Sequence, residues 1–342
     1  MRISGWVYAG GAAAVLLGGL MVATAGWSLP PAKSQQIGYR GVGMVQSKDA
    51  GVVAAQAKIT APPPAYEASP DGQRAKEVYP NLQVLGDLSE DQFNRLMASF
   101  AEWVGGEQSC AYCHNPENMG DYSKYQLIVA RRMIQMTRTI NTDWTSHVGQ
   151  TGVTCYTCHA GQGVPKNVWF KEPGPTLPGH TKWVGYTGDQ NIVAKNAGLT
   201  SLPHDALSEY LLGDRAIRVH TNTALPSGNK ATIMDTEHTW SLMMHMSESL
   251  GQNCTFCHNS RAFNAWDESP PQRVTAFYGI RMAREVNKTY LEPLTPTFPK
   301  ERLGKTGDVA KVGCATCHQG LNKPMNGAQM LKDFVAELGK KP

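Results

Sequence analysis

Hydrophobic residues recur at helical spacing in several stretches of this sequence. The residues Ser89-Glu-Asp-Gln92 have the form of a capping box, which satisfies the first free N–H groups of a helix. Five apolar side chains follow at i, i+3, i+4, i+7 and i+11: Phe93, Leu96, Met97, Phe100 and Val104. This spacing places them on one face and predicts a helix, which Gly105 and Gly106 end.

Similar patterns predict further helices at 122–140, 204–212, 236–250 and 272–289. A C-terminal amphipathic helix within 326–342 is indicated by four apolar residues at helical spacing: Leu331, Phe334, Val335 and Leu338. The 342 residues also include 34 Gly and 21 Pro, which interrupt regular structure. We therefore predict a mainly α-helical fold with much irregular structure.

The N-terminus carries a long apolar stretch. No charged side chain occurs from Ile3 to Pro31, and about 20 apolar residues are enough to span a bilayer. Aromatic residues occur at both ends, as at membrane interfaces: Trp6, Tyr8 and Trp27. We expect residues 1–31 to form an uncleaved transmembrane anchor that leaves the rest of the chain in the periplasm. The alternative is a signal peptide, since Ala23-Thr-Ala25 resembles an A-x-A cleavage site.

Residues 32–80 show no hydrophobic period. Within them, the run Ala61-Pro-Pro-Pro64 favours polyproline II backbone and blocks regular strand pairing. We predict an extended, Pro-rich tether in this range. It is either a plain linker or a segment that lies along the surface of a partner.

One five-residue pattern, C-x-x-C-H, occurs four times. It is the attachment sequence of c-type haem, in which two thiols add to the porphyrin and the His becomes the proximal iron ligand. The expected attachment residues are Cys110, Cys113, Cys155, Cys158, Cys254, Cys257, Cys314 and Cys317. The expected proximal ligands are His114, His159, His258 and His318. A single copy is also compatible with a zinc-type Cys pair, but four copies predict four covalent haems.

The four motifs use all 8 cysteines, so we expect none to form a disulfide or to carry a lipid. No Cys precedes Cys110, which leaves the apolar N-terminal helix as the expected anchor. Haem is attached to this motif outside the bacterial cytoplasm, so export of the chain is expected. The formal net charge is +4, without a long basic run that contains aromatics, and nucleic acid is not an expected partner.

The two halves of the chain align with each other. Leu96-Met97 before the first motif matches Leu242-Met243 before the third, and Arg132-Met133 matches Arg281-Met282. The match indicates an internal duplication into two pseudo-twofold-related halves, each with two helix–turn–CxxCH haem units. We expect a first dihaem half at 81–165, a connecting segment at 166–230 and a second dihaem half at 231–325.

The second axial position of each iron separates a carrier from an enzyme, because an open position allows ligand chemistry. A Met that recurs at equivalent places is a candidate ligand, although a helical Met is ordinarily core filler. Repeat symmetry nominates Met282 for the fourth haem. His147, in the loop before the second motif, is a further candidate for a second axial ligand, with an imidazole in place of a thioether. Five more His are expected to be surface or loop residues: His180, His204, His220, His238 and His245.

The stretches Pro62-Pro-Pro-Ala-Tyr66 and Val78-Tyr-Pro-Asn-Leu-Gln-Val-Leu-Gly-Asp-Leu88, with the four motifs, resemble the tetrahaem cytochrome c subunit of purple-bacterial photosynthetic reaction centres. The resemblance covers roughly residues 60–325 and implies three His/Met haems and one bis-His haem. It implies the following sixth ligands, in haem order: Met97, Met133, Met243 and, in trans, His147. The rivals are Met282 for the fourth haem, and Met244 and Met246 for the third.

The resemblance also implies an electron carrier and not an enzyme by itself. Its haems, in the order first, second, fourth, third, would relay electrons from a soluble cytochrome c or a high-potential iron–sulfur protein to the photo-oxidised bacteriochlorophyll special pair. The implied partners are the reaction centre L, M and H subunits and the core light-harvesting ring at the inner, photosynthetic membrane. Arg273 is a candidate partner of an inner haem's propionate, with a surface Arg as the alternative.

Two enzymes remain as alternatives. One is a membrane-anchored tetrahaem quinol dehydrogenase, which needs a quinol pocket near the membrane. The other is a haem reductase of small nitrogen compounds, which needs one five-coordinate iron.

Overall fold

The computed structural model describes residues 5–24, 32–38, 43–173, 197, 203, 205–220 and 230–342. In this part of the chain the structure is mainly helical with much irregular backbone, as predicted, and it also contains two short strands that were not predicted. The helices are α1 (Gly5–Thr24), α2 (Ala50–Gln56), α3 (Ala75–Val78), α4 (Glu90–Phe100), α5 (Tyr125–Asp143), α6 (Thr145–Val148), α7 (Cys155–His159), α8 (Ala206–Leu211), α9 (Ile233–Leu250), α10 (Gln272–Glu285), α11 (Cys314–His318) and α12 (Val335–Leu338). The strands are β1 (Ala32–Ile37) and β2 (Met44–Asp49).

Helix α4 begins as its capping box predicts. The Ser89 hydroxyl accepts a hydrogen bond from the N–H of Gln92, and the Gln92 side chain accepts one from the N–H of Ser89. The apolar face of α4 packs with the C-terminal segment in a cluster of buried residues: Leu85, Leu88, Leu96, Trp103, Ile134, Phe334 and Leu338. A π-helical turn, Ala101–Gly105, then leads the backbone towards the first motif.

Two further clusters form the core of the second half and its junction with the first. One joins α8, α9 and α10 through residues that include Leu207, Tyr210, Leu242 and Ile280. The other joins α5 to the segment after α10 through Ile140, Val286, Leu291 and Val309. Helix α10 continues directly into a π-helical turn, Val286–Leu291. The predicted helices of both halves are therefore confirmed, with boundaries displaced by a few residues.

The predicted tether contains regular structure. Strands β1 and β2 pair as an antiparallel hairpin, with Ile37 opposite Met44 and Ala32 opposite Asp49. Helices α2 and α3 follow before residue 80. The expectation of a uniformly extended segment is wrong because the hairpin finds hydrogen-bond partners far along the chain. Thr255 donates through Oγ1 to Ile37 O at 2.7 Å and accepts from Met44 N at 3.2 Å.

The predicted C-terminal helix is also much shorter than expected. It consists of a 3₁₀ turn, Lys332–Phe334, and the four-residue helix α12. The backbone before it turns sharply, since Met325 and Asn326 both adopt the left-handed conformation. Phe334 and Leu338 are buried as the pattern predicts, but Val335 is exposed.

At the N-terminus, α1 is 20 residues long, and its residues from Gly10 onward are exposed. Within the described part of the chain, no helix combines the length and the apolar character that crossing a membrane requires. The remainder of the expected anchor, including Trp27 and Ala25, lies outside the described residues, as do the side chains of Trp6 and Tyr8.

Candidate functional site

The first two motifs share one cavity of about 610 Å³. Its lining includes the Cys and His residues of both motifs: Cys110, Cys113, His114, Cys155, Cys158 and His159. Met97 from α4 and Met133 from α5 also line it. Most of the remaining wall is apolar and includes Phe93, Phe100 and Ile134. Cofactor sites in proteins are of about this size, 300–1,000 Å³, so the cavity fits a large apolar ring system.

The four motif histidines present the same ring atom to their surroundings. In each, Nδ1 lies 2.8–2.9 Å from a backbone carbonyl oxygen: Met119 O for His114, Gln162 O for His159, Phe263 O for His258 and Leu321 O for His318. A carbonyl oxygen can only accept, so Nδ1 must carry the proton. Nε2 is then left with its lone pair, which is the form of imidazole that binds iron.

The motifs fall into two alternating types. The second and fourth are the short helices α7 and α11, each with a Thr hydroxyl that accepts from the backbone N–H three residues earlier. Both helices end at a residue in the left-handed conformation, Ala160 and Gln319. The first and third motifs are 3₁₀ turns, in which the His side chain donates to the carbonyl of the fifth residue after it instead of the third. The same local structure therefore recurs in the two halves.

His147 lies against the fourth motif. Its ring centroid is 6.0 Å from that of His318, and the two ring planes are inclined at 67°. Its Nδ1 lies 2.9 Å from Thr275 O, so this fifth histidine also keeps Nε2 as an acceptor. Metal–imidazole bonds are about 2.0–2.1 Å long for zinc, and a 6.0 Å centroid separation leaves room for one metal ion between the rings.

The electrostatics of these groups favour neutral side chains. Burial, with the neighbouring His147, lowers the pKa of His318 to about 4, and burial also lowers the pKa of His147 and of His159. Burial raises the pKa of Cys113 to about 11 and that of Cys155 to about 12. Burial therefore favours the neutral form of His318, His147 and His159, in which one ring nitrogen keeps its lone pair.

The second and fourth motifs touch each other. Cys158 and Cys317 form a disulfide, and their Cα atoms are 4.4 Å apart. The expectation that no cysteine forms a disulfide is wrong for this structure, because the packing of α7 beside α11 brings these thiols within bonding distance. A sulfur in a disulfide cannot also form a thioether, so the two linkages are mutually exclusive at these residues.

The candidate methionines occupy different environments. Met97 and Met133 are half-buried and face the shared cavity. Met243 packs against the buried cluster of the second half, as does Cys314. Met282 packs against the cluster that joins the halves, and Met133 packs against the same cluster. Arg273 stacks over Trp266 at 4.1 Å and donates to Ala265 O at 2.7 Å, close to the third motif.

Two histidines that we expected at the surface are buried. His238 and His245 are 7% and 5% exposed, because the inner face of α9 packs against α8 and α11. His245 accepts a hydrogen bond at Nε2 from the N–H of Cys314, at 3.2 Å, so this atom is not available to iron. His220 lies at the surface, beside Asn264. His180 and His204 lie outside the described residues.

Comparison with known proteins identifies the family. A family model described as photosynthetic reaction centre cytochrome C subunit matches residues 28–338. The chain belongs to this family. The photosynthetic reaction center cytochrome c subunit of Rubrivivax gelatinosus is 49% identical over 314 residues, which cover 91% of this chain and 84% of the relative. The subunit of Thermochromatium tepidum is 45% identical over 306 residues (89% and 75%), and that of Roseobacter denitrificans 40% over 324 residues (88% and 84%).

Membership in the reaction centre cytochrome c subunit family assigns the chain to photosynthetic electron transport and gives it covalently bound c-type haem. The C-x-x-C-H motifs are the residues that make such attachment possible. None of the three relatives is named a quinol dehydrogenase, and that alternative is not supported. Sequence reasoning missed Asn141 and Asn287, which bond to the backbone just before the second and fourth motifs and carry no chemical signature of their own.

Proposed function

We propose that this chain is the electron-carrier subunit of a photosynthetic reaction centre, with four covalent haems and no substrate chemistry of its own. When bound, the haems supply one-electron redox chemistry, in series, between a soluble donor and the oxidised bacteriochlorophyll special pair. The observation that carries the proposal is the shared geometry of five histidines, each with Nδ1 bonded to a carbonyl and Nε2 left as the acceptor.

The chain's own residues would hold the haems in two dihaem halves, at 81–165 and 231–325. All eight motif cysteines would form thioethers, which requires that the bond between Cys158 and Cys317 be absent from the haem-loaded chain. His114, His159, His258 and His318 would be the proximal ligands. Met97, Met133 and Met243 would complete the first three sites, and His147 the fourth. The burial of Met97 and Met133 beside their motifs supports this set, as does the position of His147 against His318.

The contacts between motifs support the order first, second, fourth, third. The first and second share a cavity, and Gly161 N donates to Trp103 O at 3.0 Å. The second and fourth approach to 4.4 Å between Cα atoms. After the fourth motif, Gly320 N donates to Ser249 O, at the end of the helix that precedes the third, at 2.8 Å. Each neighbouring pair is therefore linked through short, rigid structure.

We further propose that the bulk of the chain is periplasmic and that its N-terminal segment, which includes α1, holds it at the membrane. The exposed apolar side chains of α1 support this, for example Leu16, Leu20 and Met21. The hairpin that follows α1 binds the third motif, so that motif would face the membrane. The partners would be the L, M and H subunits, the core light-harvesting ring, and a soluble cytochrome c or high-potential iron–sulfur protein as donor.

Flash spectroscopy on native membranes tests the proposal. The bleached special pair and the haem α-bands are followed together after a single flash. We expect haem oxidation to match the recovery of the special pair in time. Recovery of the pair without haem oxidation would remove this chain as its direct donor.

A further inference from the structure

Asn141 and Asn287 make the same hydrogen bonds in the two halves of the chain. Asn141 binds both backbone groups of Val153, donating to its carbonyl at 2.9 Å and accepting from its N–H at 2.7 Å. Asn287 binds both backbone groups of Val312, at 2.9 Å in each case. Each valine lies two residues before a motif, the second and the fourth. These buried asparagines therefore show which positions of the α5 segment and the α10 segment are equivalent, independently of sequence similarity. We call this correspondence the register of the two segments.

In this register Met133 corresponds to Gly279, since each lies eight residues before its asparagine (141 − 133 = 8 and 287 − 279 = 8). The offset between the halves is then 146, as it is for Met97 and Met243. The match of Met133 with Met282 differs from this register by three residues. Three residues move a side chain by about 4.5 Å along a helix and about 60° around it, so Met282 lies almost one turn beyond the place that corresponds to Met133.

The ring of His147 occupies the space that a side chain at position 279 would need. A Cβ atom at Gly279 would lie 2.5 Å from Cε1 of His147, 2.8 Å from its Nδ1 and 3.1 Å from its Nε2. These distances are too short for any L side chain unless the ring moves. The ring is also bonded to Thr275 O, one turn earlier on the same helix. Gly279 leaves space for the ring of His147, and the Thr275 carbonyl accepts its hydrogen bond. Together they hold a histidine from the first half in place.

We propose that Gly279 determines the sixth ligand of the fourth haem site. Where the first half carries Met133, the second half carries no side chain, and His147 enters the space. Gly279 is thus a positioning residue that acts through His147 and does not touch the iron itself. This inference rests on the proposed ligand set, in which His147 and His318 form the bis-His pair.

The test uses the haem-loaded, full-length chain and the variants Gly279→Ala, Gly279→Met and Met282→Leu. Electron paramagnetic resonance of the oxidised protein counts bis-His and His/Met haems, and a redox titration gives four midpoint potentials. We expect Gly279→Met to lose the bis-His signal and to shift one midpoint upward, because Met/His ligation raises the potential. Gly279→Ala should weaken the bis-His signal, and Met282→Leu should leave all four signals unchanged.

If Gly279→Met is not recovered with its haems, the double variant His147→Ala/Gly279→Met replaces it in the test. The double variant lacks the imidazole ring that would clash with a side chain at position 279. The single variant His147→Ala should bind carbon monoxide when reduced, and the double variant should not. An unchanged bis-His signal in Gly279→Met, or carbon monoxide binding by the double variant, would overturn the role of Gly279. A wild-type protein without a bis-His haem would instead refute the proposed ligand set, before any variant is compared.

Discussion

The guanidinium of Arg95 in α4 forms a buried ion pair with the carboxylate of Glu337 in α12. Arg95 also donates to Asp333 O at 2.7 Å and stacks over Phe334 at 4.9 Å. The pair ties the last residues of the chain to the helix that carries Met97. The C-terminal segment is therefore part of the core that supports α4.

Removing one partner of this pair should be costly. Glu337→Ala leaves a buried, unpaired guanidinium, which is expected to cost about 3–5 kcal/mol in the free energy of unfolding, measured by denaturant titration. The double variant Arg95→Met/Glu337→Leu replaces the pair with apolar side chains of similar volume. It should be much closer to wild type. Equal losses in the single and double variants would mean that the charge pair is not the source of the effect.

Asn141 and Asn287 offer a matched pair of substitutions. Asn141→Ala and Asn287→Ala each leave backbone groups before a motif without partners, at an expected cost of about 1–3 kcal/mol. The loss should be local, so Asn141→Ala disturbs the spectrum of the second haem and Asn287→Ala that of the fourth. Denaturant titration with resolved α-bands measures both effects. The same spectral change in the two variants would contradict this assignment.

The pair of Asp235 and Arg215 at the start of α9 should make stability depend on acid. Hydrogen bonds from Arg215 and from the Thr232 backbone hold the pKa of Asp235 below its ordinary value of about 3.9. The folded state therefore binds fewer protons than the unfolded state. The stability that ionised Asp235 contributes is therefore present above about pH 4 and is lost as the pH falls further.

The variant Asp235→Asn should flatten this part of the stability profile, which melting temperatures between about pH 6 and pH 2 would show. Asp214→Asn is the control, because it removes an exposed carboxylate from the same stretch of chain. If both variants change the profile alike, the effect comes from net charge and not from the ion pair.

The Thr255 hydroxyl should hold the N-terminal hairpin on the third motif. Thr255→Val keeps the shape of the side chain but removes the bonds to Ile37 O and Met44 N. Hydrogen exchange at the Met44 amide should accelerate, because that N–H loses its buried partner. The control Ser34→Ala removes only the exposed bond between Ser34 and Ser47 within the hairpin. Unchanged exchange in Thr255→Val would show that other contacts hold the hairpin.

Cys158 and Cys317 allow a direct test of the haem count. If both sulfurs form thioethers in the mature protein, the intact mass will correspond to four haems and a reductant will release no thiols. Cys158→Ala and Cys317→Ala should each leave one haem held by a single thioether, with a shifted α-band. A lower haem count together with a reducible bond between the two cysteines would contradict the proposed attachment.

Features that depend on nearby residues were predictable. The capping box at Ser89 and the apolar stripe from Phe93 to Val104 specify α4 locally. Each C-x-x-C-H motif likewise contains, within five residues, the side chains that predict haem attachment. Features that depend on distant partners were not. The hairpin strands have no apolar alternation because their faces are largely exposed, and their partner Thr255 is more than two hundred residues away. The burial of His245 likewise depends on the later fourth motif.

The position of His147 against Gly279 has a consequence for how such a chain can change over time. A protein made by joining two copies of one unit can in principle be split again, as long as each copy remains complete. Here the second half has no side chain at Gly279, and His147 of the first half fills that space. With His147 as the proposed ligand, neither half can be removed or replaced alone without loss of the fourth haem site. The contact therefore makes the two halves depend on each other within one chain.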